Sequence, residues 1–480
     1  MLERPLFDLT NSRNSCGGRS SFVVVANRLP VRQPDESDGR SWPPSPGGLV
    51  SALTPVLRER HGIWVGWPGG DCDPGIIPDT VNGIGLRSVS LSDSECDGFY
   101  TGFSNGTLWP LYHDAIRTPI FDRDWWHQYR EVNVRFAEIA ADVAAPAATV
   151  WVHDYQLQLV PGLLRSLRPD VRIGFFLHIP FPPRELFMQL PWRREIIEGL
   201  LGADLIGFQV PGAAANFARL ARQLTSASGS DSVVEIDSRQ VAVGAFPISV
   251  DSRGIAAKAA QPEIVARAAQ LRSDLGGPDV VFLGVDRLDY TKGIDRRMVA
   301  AGKLFSEGIL RAGSHVIVQI AVPSRELDPL YQEERHHLEQ LVGQVNGQFS
   351  SVGHPAIHYL NQSVSNDELI ALYLAADVML VTPLRDGMNL VSKEYVAARD
   401  GAGGQLILSE FAGAASELKG AMLVNPHDID DITEAMRACL TRDRAEEMRN
   451  MRRLNRIVRR RDVHHWAASF LAALQETTSK

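Results

Sequence analysis

Side chains suited to holding phosphate and sugar hydroxyls recur in this chain where short apolar runs end. The 382–394 stretch, TPLRDGMNLVSKE, follows the apolar run 378–381 and is cut off from it by Thr382-Pro383. Proline cannot donate to a sheet ladder, so the apolar run reads as a buried parallel strand that stops there. Arg385, Asp386, Gly387 and Asn389 make a polar turn, and residues 390–398 have the composition of a helix. The first amides of a helix have no partner inside it, so a strand, a polar loop and a helix start together form an anion site. The Leu390 and Val391 amides are placed to take a phosphate. Glu394 lies one turn further on, on the face of Leu390, and is placed to accept from sugar hydroxyls.

The same address recurs along the chain. Arg28, Asp154, His178, Arg287, Arg325 and Asp386 each stand at or just past the end of an apolar run of strand length. If the sheets that carry these strands face each other, all six point into one cleft. Arg287 and Lys292 share the 286–293 loop, DRLDYTKG, close enough to hold one diphosphate. Trp64, Trp67 and Trp109 could cover the apolar faces of sugars. Each feature alone has a plainer reading. Arg385 could simply pair with Asp386, and the 286–293 loop could be a solvated basic turn. His153 could bond its neighbour Asp154, His178 could be a core histidine bonded to a carbonyl, and the tryptophans could be core. No Ser or Cys with His and an acid at useful spacing suggests an acyl nucleophile, and no HExxH or clustered ligand set suggests a metal.

Strands and helices must position these groups. Strand-like runs occur at 22–26, 63–66, 84–89, 149–152, 173–177 and 203–209, then at 280–285, 315–322, 378–381, 405–408 and 422–424. Helical segments separate them, among them 125–141, 157–167, 367–375, 431–440 and 463–475. That alternation gives an α/β fold of two doubly wound domains, with the boundary in the 247–261 connector. The basic run 452–461 reads as a solvated helix face. No GxGxxG follows the first strand and no GxxxxGK[ST] occurs, which disfavours a dinucleotide dehydrogenase or a P-loop NTPase.

A chain of 480 residues exceeds what one core supports. Hydrophobic content of 44% and charged content of 22% are ordinary for a globular enzyme. Net charge −8 without a long basic tract argues against nucleic acid as a partner. No apolar run reaches the ~20 residues of a membrane helix, so no membrane partner is expected. Cys16, Cys72, Cys96 and Cys439 form no CxxC pair. With no apolar signal segment near the start, they fit a reducing, cytoplasmic setting.

Taken together, NRLPV (27–31), PGGLVSAL (46–53), WVGWPG (64–69), GFSNGTLWP (102–110), WVHDYQL, FFLHIPFPP, VDRLDYTKG, PSRE, TPLRDGMNLVSKEYVA and LSEFAGAASEL resemble the trehalose-6-phosphate synthase family of retaining glycosyltransferases. Their order and spacing hold from about residue 21 to the end. The resemblance implies two facing Rossmann-like domains of the GT-B type, 21–247 binding the acceptor and 248–457 the nucleotide sugar. A C-terminal helix of about 458–480 joins the first domain, and residues 1–20 are a disordered extension. It implies transfer of glucose from a nucleoside diphosphate glucose to glucose 6-phosphate, both small-molecule substrates, with no cofactor and no metal. A homo-oligomer is expected.

Carried over by match, Arg287 and Lys292 hold the donor diphosphate and Glu394 the ribose. Asp386 and the backbone of Gly387, Met388, Asn389, Leu390 and Val391 take the donor glucose and phosphates. Gly47 and Gly48 let a loop close over the donor, and the Val364 backbone meets the base. Arg28, Tyr100 and Arg325 bind the acceptor phosphate, while Asp154, Trp67 and Trp109 hold the acceptor sugar. His178 contacts the donor sugar at the reacting centre. The 28–47 loop is longer and richer in proline than the family's usual one. Segment 361–366, NQSVSN, departs from its commoner wording, which leaves UDP, ADP or GDP open as the donor nucleotide.

Overall fold

Runs such as FVVVA are apolar on both faces because they lie inside a sheet covered on both sides. Val23 and Val25 enter one core and Phe22 and Val24 the other. Val281 and Leu283 divide from Phe282 in the same way. The computed structural model describes residues 18–32, 42–43, 45, 48–69, 76–326, 328–441 and 443–477. Gly47, Cys16, Cys72, most of the expected N-terminal extension and most of the 32–46 loop lie outside these residues.

Strands β1 (Ser20–Arg28), β2 (Ile63–Trp67), β3 (Thr80–Val81), β4 (Ile84–Ser88), β5 (Ala144–His153), β6 (Arg172–Phe176), β7 (Leu205–Phe208), β8 (Ser228–Gly229), β9 (Val233–Ile236) and β10 (Arg239–Ala245) form one sheet. Its order is β3-β4-β2-β1-β5-β6-β7-β10-β9-β8. Strands β11 (Val280–Arg287), β12 (His315–Val322), β13 (Ile357–Leu360), β14 (Val378–Val381), β15 (Gln405–Ser409) and β16 (Met422–Val424) form a second, all-parallel sheet in the order β13-β12-β11-β14-β15-β16. Along the parallel strands of each sheet the order reverses once, between β1 and β5 and between β11 and β14. The crevices at those reversals are where doubly wound sheets bind ligands.

Strands β3, β8, β9, β10 and β13 and one π-helix differ from the sequence expectation. Strand β13, IHYL, is a four-residue edge strand with three partly exposed residues, too short and too polar to stand out. Residues Cys96–Leu108 wind as a π-helix, whose wider turn has no 3.6-residue apolar stripe to read.

The chain leaves the first sheet after β10 and returns at Val463, whose amide donates to the Val250 carbonyl at 3.1 Å. The two crossings therefore lie side by side. The Val463–Glu476 helix then packs on the first sheet, as a C-terminal helix joining that domain would. Phe470 stacks on Trp151 at 4.5 Å between centroids, and a Cβ on Gly174 or Gly207 would come within 2.8 or 2.7 Å of the Phe470 ring. The two glycines leave room for that ring. Phe470 is fully buried, so Phe470→Ala should destabilise the chain by about 3–5 kcal/mol. It should also release hydrogen-exchange protection in β6, β7 and the last helix together. An unchanged unfolding midpoint would mean that this helix does not hold the first sheet.

Candidate active-site cleft

Arg28 ends β1 at the first reversal and lies over the Trp67 ring at 3.9 Å, with Tyr100 5.4 Å away on another side. The WVGWPG stretch is built around it. A Cβ on Gly66 would meet the Arg28 carbonyl carbon at 2.7 Å. Gly69 has φ +113°, and a Cβ there would stand 2.5 Å from Arg28 Nη1. Trp64 does not face the cleft. It is buried in the core, where its indole donates to the Arg28 carbonyl at 2.9 Å.

At the second reversal, the loops after β11 and β14 are bonded together. Leu384 N donates to the Thr291 carbonyl at 2.7 Å, and Gly293, at φ +59°, lies where a Cβ would be 2.5 Å from the Thr382 carbonyl. Lys292 Nζ meets Asp386 Oδ2 at 2.6 Å. Arg385 instead reaches Asp114 of the first domain at 3.4 Å, so the local Arg385–Asp386 pair does not form. Burial pushes the Asp386 carboxyl up, but Lys292 and Asn389 more than offset it and hold it below its ordinary value. The 286–293 loop is no solvated turn: of its two cations, Arg287 alone is exposed, and Lys292 is buried.

Helix Leu390–Ala398 begins as expected. Asn389, in the left-handed region at φ 73°, caps Ser392 N and leaves the Leu390 and Val391 amides without a helical partner. Glu394 accepts from Tyr373 at 2.8 Å, and burial raises its carboxyl. Glu394, Val364 and Tyr373 line a cavity of about 740 Å³ that Pro30, Val31 and Val50 close from the first domain. Gly387 meets the first domain directly. A Cβ there would lie 2.1 Å from the His178 carbonyl oxygen.

Arg325 joins the two sides. Its guanidinium lies 4.3 Å over the Trp109 ring, with Arg287 at 5.5 Å from the same ring. It also reaches Tyr331, Asp289 at 3.4 Å and Tyr155 of the first domain at 3.4 Å. The Tyr155 hydroxyl donates in turn to Asn105 Oδ1 at 2.8 Å. Burial raises the Tyr100 phenol, but the positive charges of Arg325, Arg28 and Arg287 together lower it overall.

The histidine and aspartate readings come out differently from their plainer versions. His153 bonds not Asp154 but His178, Nδ1 to Nε2 at 3.1 Å. Burial drives the His178 imidazole down to about 3 and keeps His153 far below its ordinary value too, so both are neutral. Asp154, at φ 75°, accepts from the His178 amide at 3.2 Å. Burial raises its carboxyl to about 6 against the pull of those amides and of Arg287.

Asp289, Tyr331, Tyr155, Asn105 and His113 also surround these groups. Asp289, Tyr155 and Asn105 sit inside motifs that stand out in the sequence, but their partners come from distant segments. His113 is buried, bonds the Trp109 carbonyl at 2.8 Å and is driven down by burial to about 4. Tyr331 is an ordinary apolar-face residue of its helix and carries no signal. Among the described residues no cluster of three or more His, Cys, Asp or Glu could hold a metal ion, and no helix is long and apolar enough to cross a membrane.

This arrangement has close counterparts. Trehalose-6-phosphate synthase of Mycobacterium avium is 54% identical over 479 residues, 97% of either chain. That of Mycobacterium tuberculosis is 54% identical over 477 residues, 95% of either chain. The structure of the E. coli protein bound with UDP-2-fluoro glucose matches with TM-score 0.86 at 35% identity, over 94% of this chain and 98% of that one. A UDP-forming α,α-trehalose-phosphate synthase from Burkholderia xenovorans, in complex with glucose-6-phosphate, matches with TM-score 0.87 at 34% identity, over 95% and 100%. The sequence model of glycosyltransferase family 20 matches residues 20–476. With two facing doubly wound domains of the GT-B type and that match along its length, the chain belongs to glycosyltransferase family 20.

Proposed function

We propose that this enzyme transfers glucose from a nucleoside diphosphate glucose to glucose 6-phosphate, with retention, to give α,α-trehalose 6-phosphate. The observation that carries this reading is a group of four cations that both domains bring to one cleft. Arg287 and Lys292 share one loop beside a helix start, Arg28 lies by Trp67 and Tyr100, and Arg325 lies over Trp109 beside Arg287. That much local positive charge suits two anionic groups, a diphosphate and a terminal phosphate. The relatives whose structures hold a UDP-sugar and glucose-6-phosphate fit the same pair of ligands.

In this reading Arg287, Lys292 and the Leu390 and Val391 amides take the donor diphosphate. Lys292 turns to it from Asp386, and Asp386 then accepts from the donor sugar beside the Gly387–Met388–Asn389 backbone. Glu394 takes the ribose and Val364 borders the base. Arg28, Tyr100 and Arg325 hold the acceptor phosphate; Asp154, Trp67 and Trp109 hold its sugar; neutral His178 contacts the donor sugar. The acceptor hydroxyl attacks the anomeric carbon from the face the diphosphate leaves. The departing diphosphate oxygen takes the hydroxyl's proton as its own bond to carbon breaks. Negative charge grows on that diphosphate, so the cations beside it act mainly in the transition state.

Purified protein incubated with UDP-, ADP- and GDP-glucose and glucose 6-phosphate should yield a phosphorylated non-reducing disaccharide. Absence of product from all three donors would refute the reading. Arg287→Ala and Lys292→Ala should each lower kcat about 100-fold, the loss of about 3 kcal/mol of transition-state stabilisation. Near-normal turnover in either variant would remove that residue from the reaction.

The acidic limb of the pH profile should come from Asp154. Only its carboxylate accepts from an acceptor hydroxyl, so kcat/KM for the acceptor should fall as pH drops through about 6. The effect on stability has the opposite sign. A carboxyl raised from 3.8 to about 6 binds its proton more tightly in the folded state. Its contribution therefore favours folding at low pH and is lost as pH rises between those values. An Asp154→Asn variant that keeps the same acidic limb would assign the limb to another group.

A further inference from the structure

Arg325 is a cation buried in a backbone conformation that side chains disfavour. Its φ is +52° and its side chain is 8% exposed. A non-glycine residue stays in that region only when its surroundings fix it. The surroundings supply the Trp109 ring, two tyrosine hydroxyls and a single carboxylate, Asp289. Asp289 is 1% exposed and fully engaged. Its Oδ1 accepts from Thr291 N at 2.9 Å and from Thr291 Oγ1 at 2.8 Å, and its Oδ2 from Tyr331 at 3.0 Å and from Arg325 Nη1 at 3.4 Å. Burial raises this carboxyl, but Arg325, Lys292 and Arg287 outweigh it and keep it ionised.

Asp289 also links the loop of Arg287 and Lys292 to Arg325. It lies in the loop that carries Arg287 and Lys292, yet its outer oxygen faces Arg325. We propose that Asp289 is the positioning residue that fixes Arg325 and thereby sets the preference for a phosphorylated over an unphosphorylated acceptor. This rests on the reading above, in which Arg325 binds the acceptor phosphate. The chemistry is specific to charge. In Asp289→Asn the amide oxygen must stay on the two Thr291 donors to keep the turn. The NH₂ group then faces Arg325 Nη1, donor against donor, and the guanidinium loses its only carboxylate among the described residues.

The test is steady-state kinetics of the full-length enzyme with glucose 6-phosphate and with glucose, at fixed and varied nucleotide sugar. Asp289→Asn should raise KM for glucose 6-phosphate roughly tenfold or more, as loss of a charged hydrogen-bond partner does. KM for the nucleotide sugar should stay within about twofold, and the preference for glucose 6-phosphate over glucose should fall with the acceptor KM. Tyr331→Phe, which leaves the 286–293 loop intact, should move the same two quantities by less in the same direction. A loss shared equally by both substrates and by glucose would mean that Asp289 only holds the loop, and would overturn the proposal. So would unchanged acceptor KM in both variants. Arg325→Ala separates the two levels. If it leaves acceptor KM unchanged, the phosphate reading of Arg325 fails. If it raises that KM while Asp289→Asn and Tyr331→Phe do not, only the role of Asp289 fails.

Discussion

Four cations crowd one cleft, and only two have a carboxylate among the described residues. Lys292 has Asp386 and Arg325 has Asp289, while Arg28 and Arg287 have none. The chain as a whole carries net charge −8, so this is a local inversion of its field. Such an arrangement is self-repelling and survives only because something else fixes it. Trp67, Tyr100 and Trp109 present ring faces to three of the guanidiniums, and cation–π attraction offsets part of the repulsion. The remainder is the driving force for taking up anions.

That charge density can be held because the backbone beneath it is rigid and parallel. Each cation leaves the end of a strand or the loop just after it, beside a reversal of strand order. The loops after β6 and β14 touch where Gly387 meets the His178 carbonyl, and Gly413 in turn lies so near that a Cβ would stand 1.9 Å from the Gly387 carbonyl oxygen. Behind the cleft, Lys393 ties the second domain to the connector between the domains. It is almost wholly buried and donates to Glu417 at 2.6 Å and to the Ile248 carbonyl at 2.8 Å, next to both chain crossings. Burial lowers the Lys393 ammonium, yet Glu417 supplies the opposite charge that a buried cation requires.

The address of the site was legible in the sequence because strand ends are local features. Arg28, Asp154, His178, Arg287, Arg325 and Asp386 follow apolar runs that any reader can mark. The helix that starts at Leu390 was equally visible, since its polar turn and composition lie within a dozen residues. What could not be read were pairings made through space. Nothing near His153 announces His178, and nothing in the helix of Tyr331 announces Asp289. The π-helix that carries Asn105 was hidden for another reason, since its period has no familiar pattern. Trp64 shows the limit of residue type as a guide. Indoles are good sugar platforms, but in β2 alternate side chains take opposite faces, so Trp64 enters the core that Val65 does not.

The Lys292–Asp386 pair adds a constraint on what the proposed donor site admits. The pair is nearly buried and short, so each partner is costly to leave alone. Separating a buried ion pair without replacing both contacts costs about 3–5 kcal/mol. A simple anion that draws Lys292 away leaves Asp386 beside Asn389 with no cation. A free sugar that engages Asp386 leaves Lys292 in the same position. A nucleotide sugar offers both replacements at once, its diphosphate to Lys292 and its hydroxyls to Asp386. In the proposed donor site the ion pair would therefore favour, before any chemistry, a ligand that joins phosphate to sugar in one molecule.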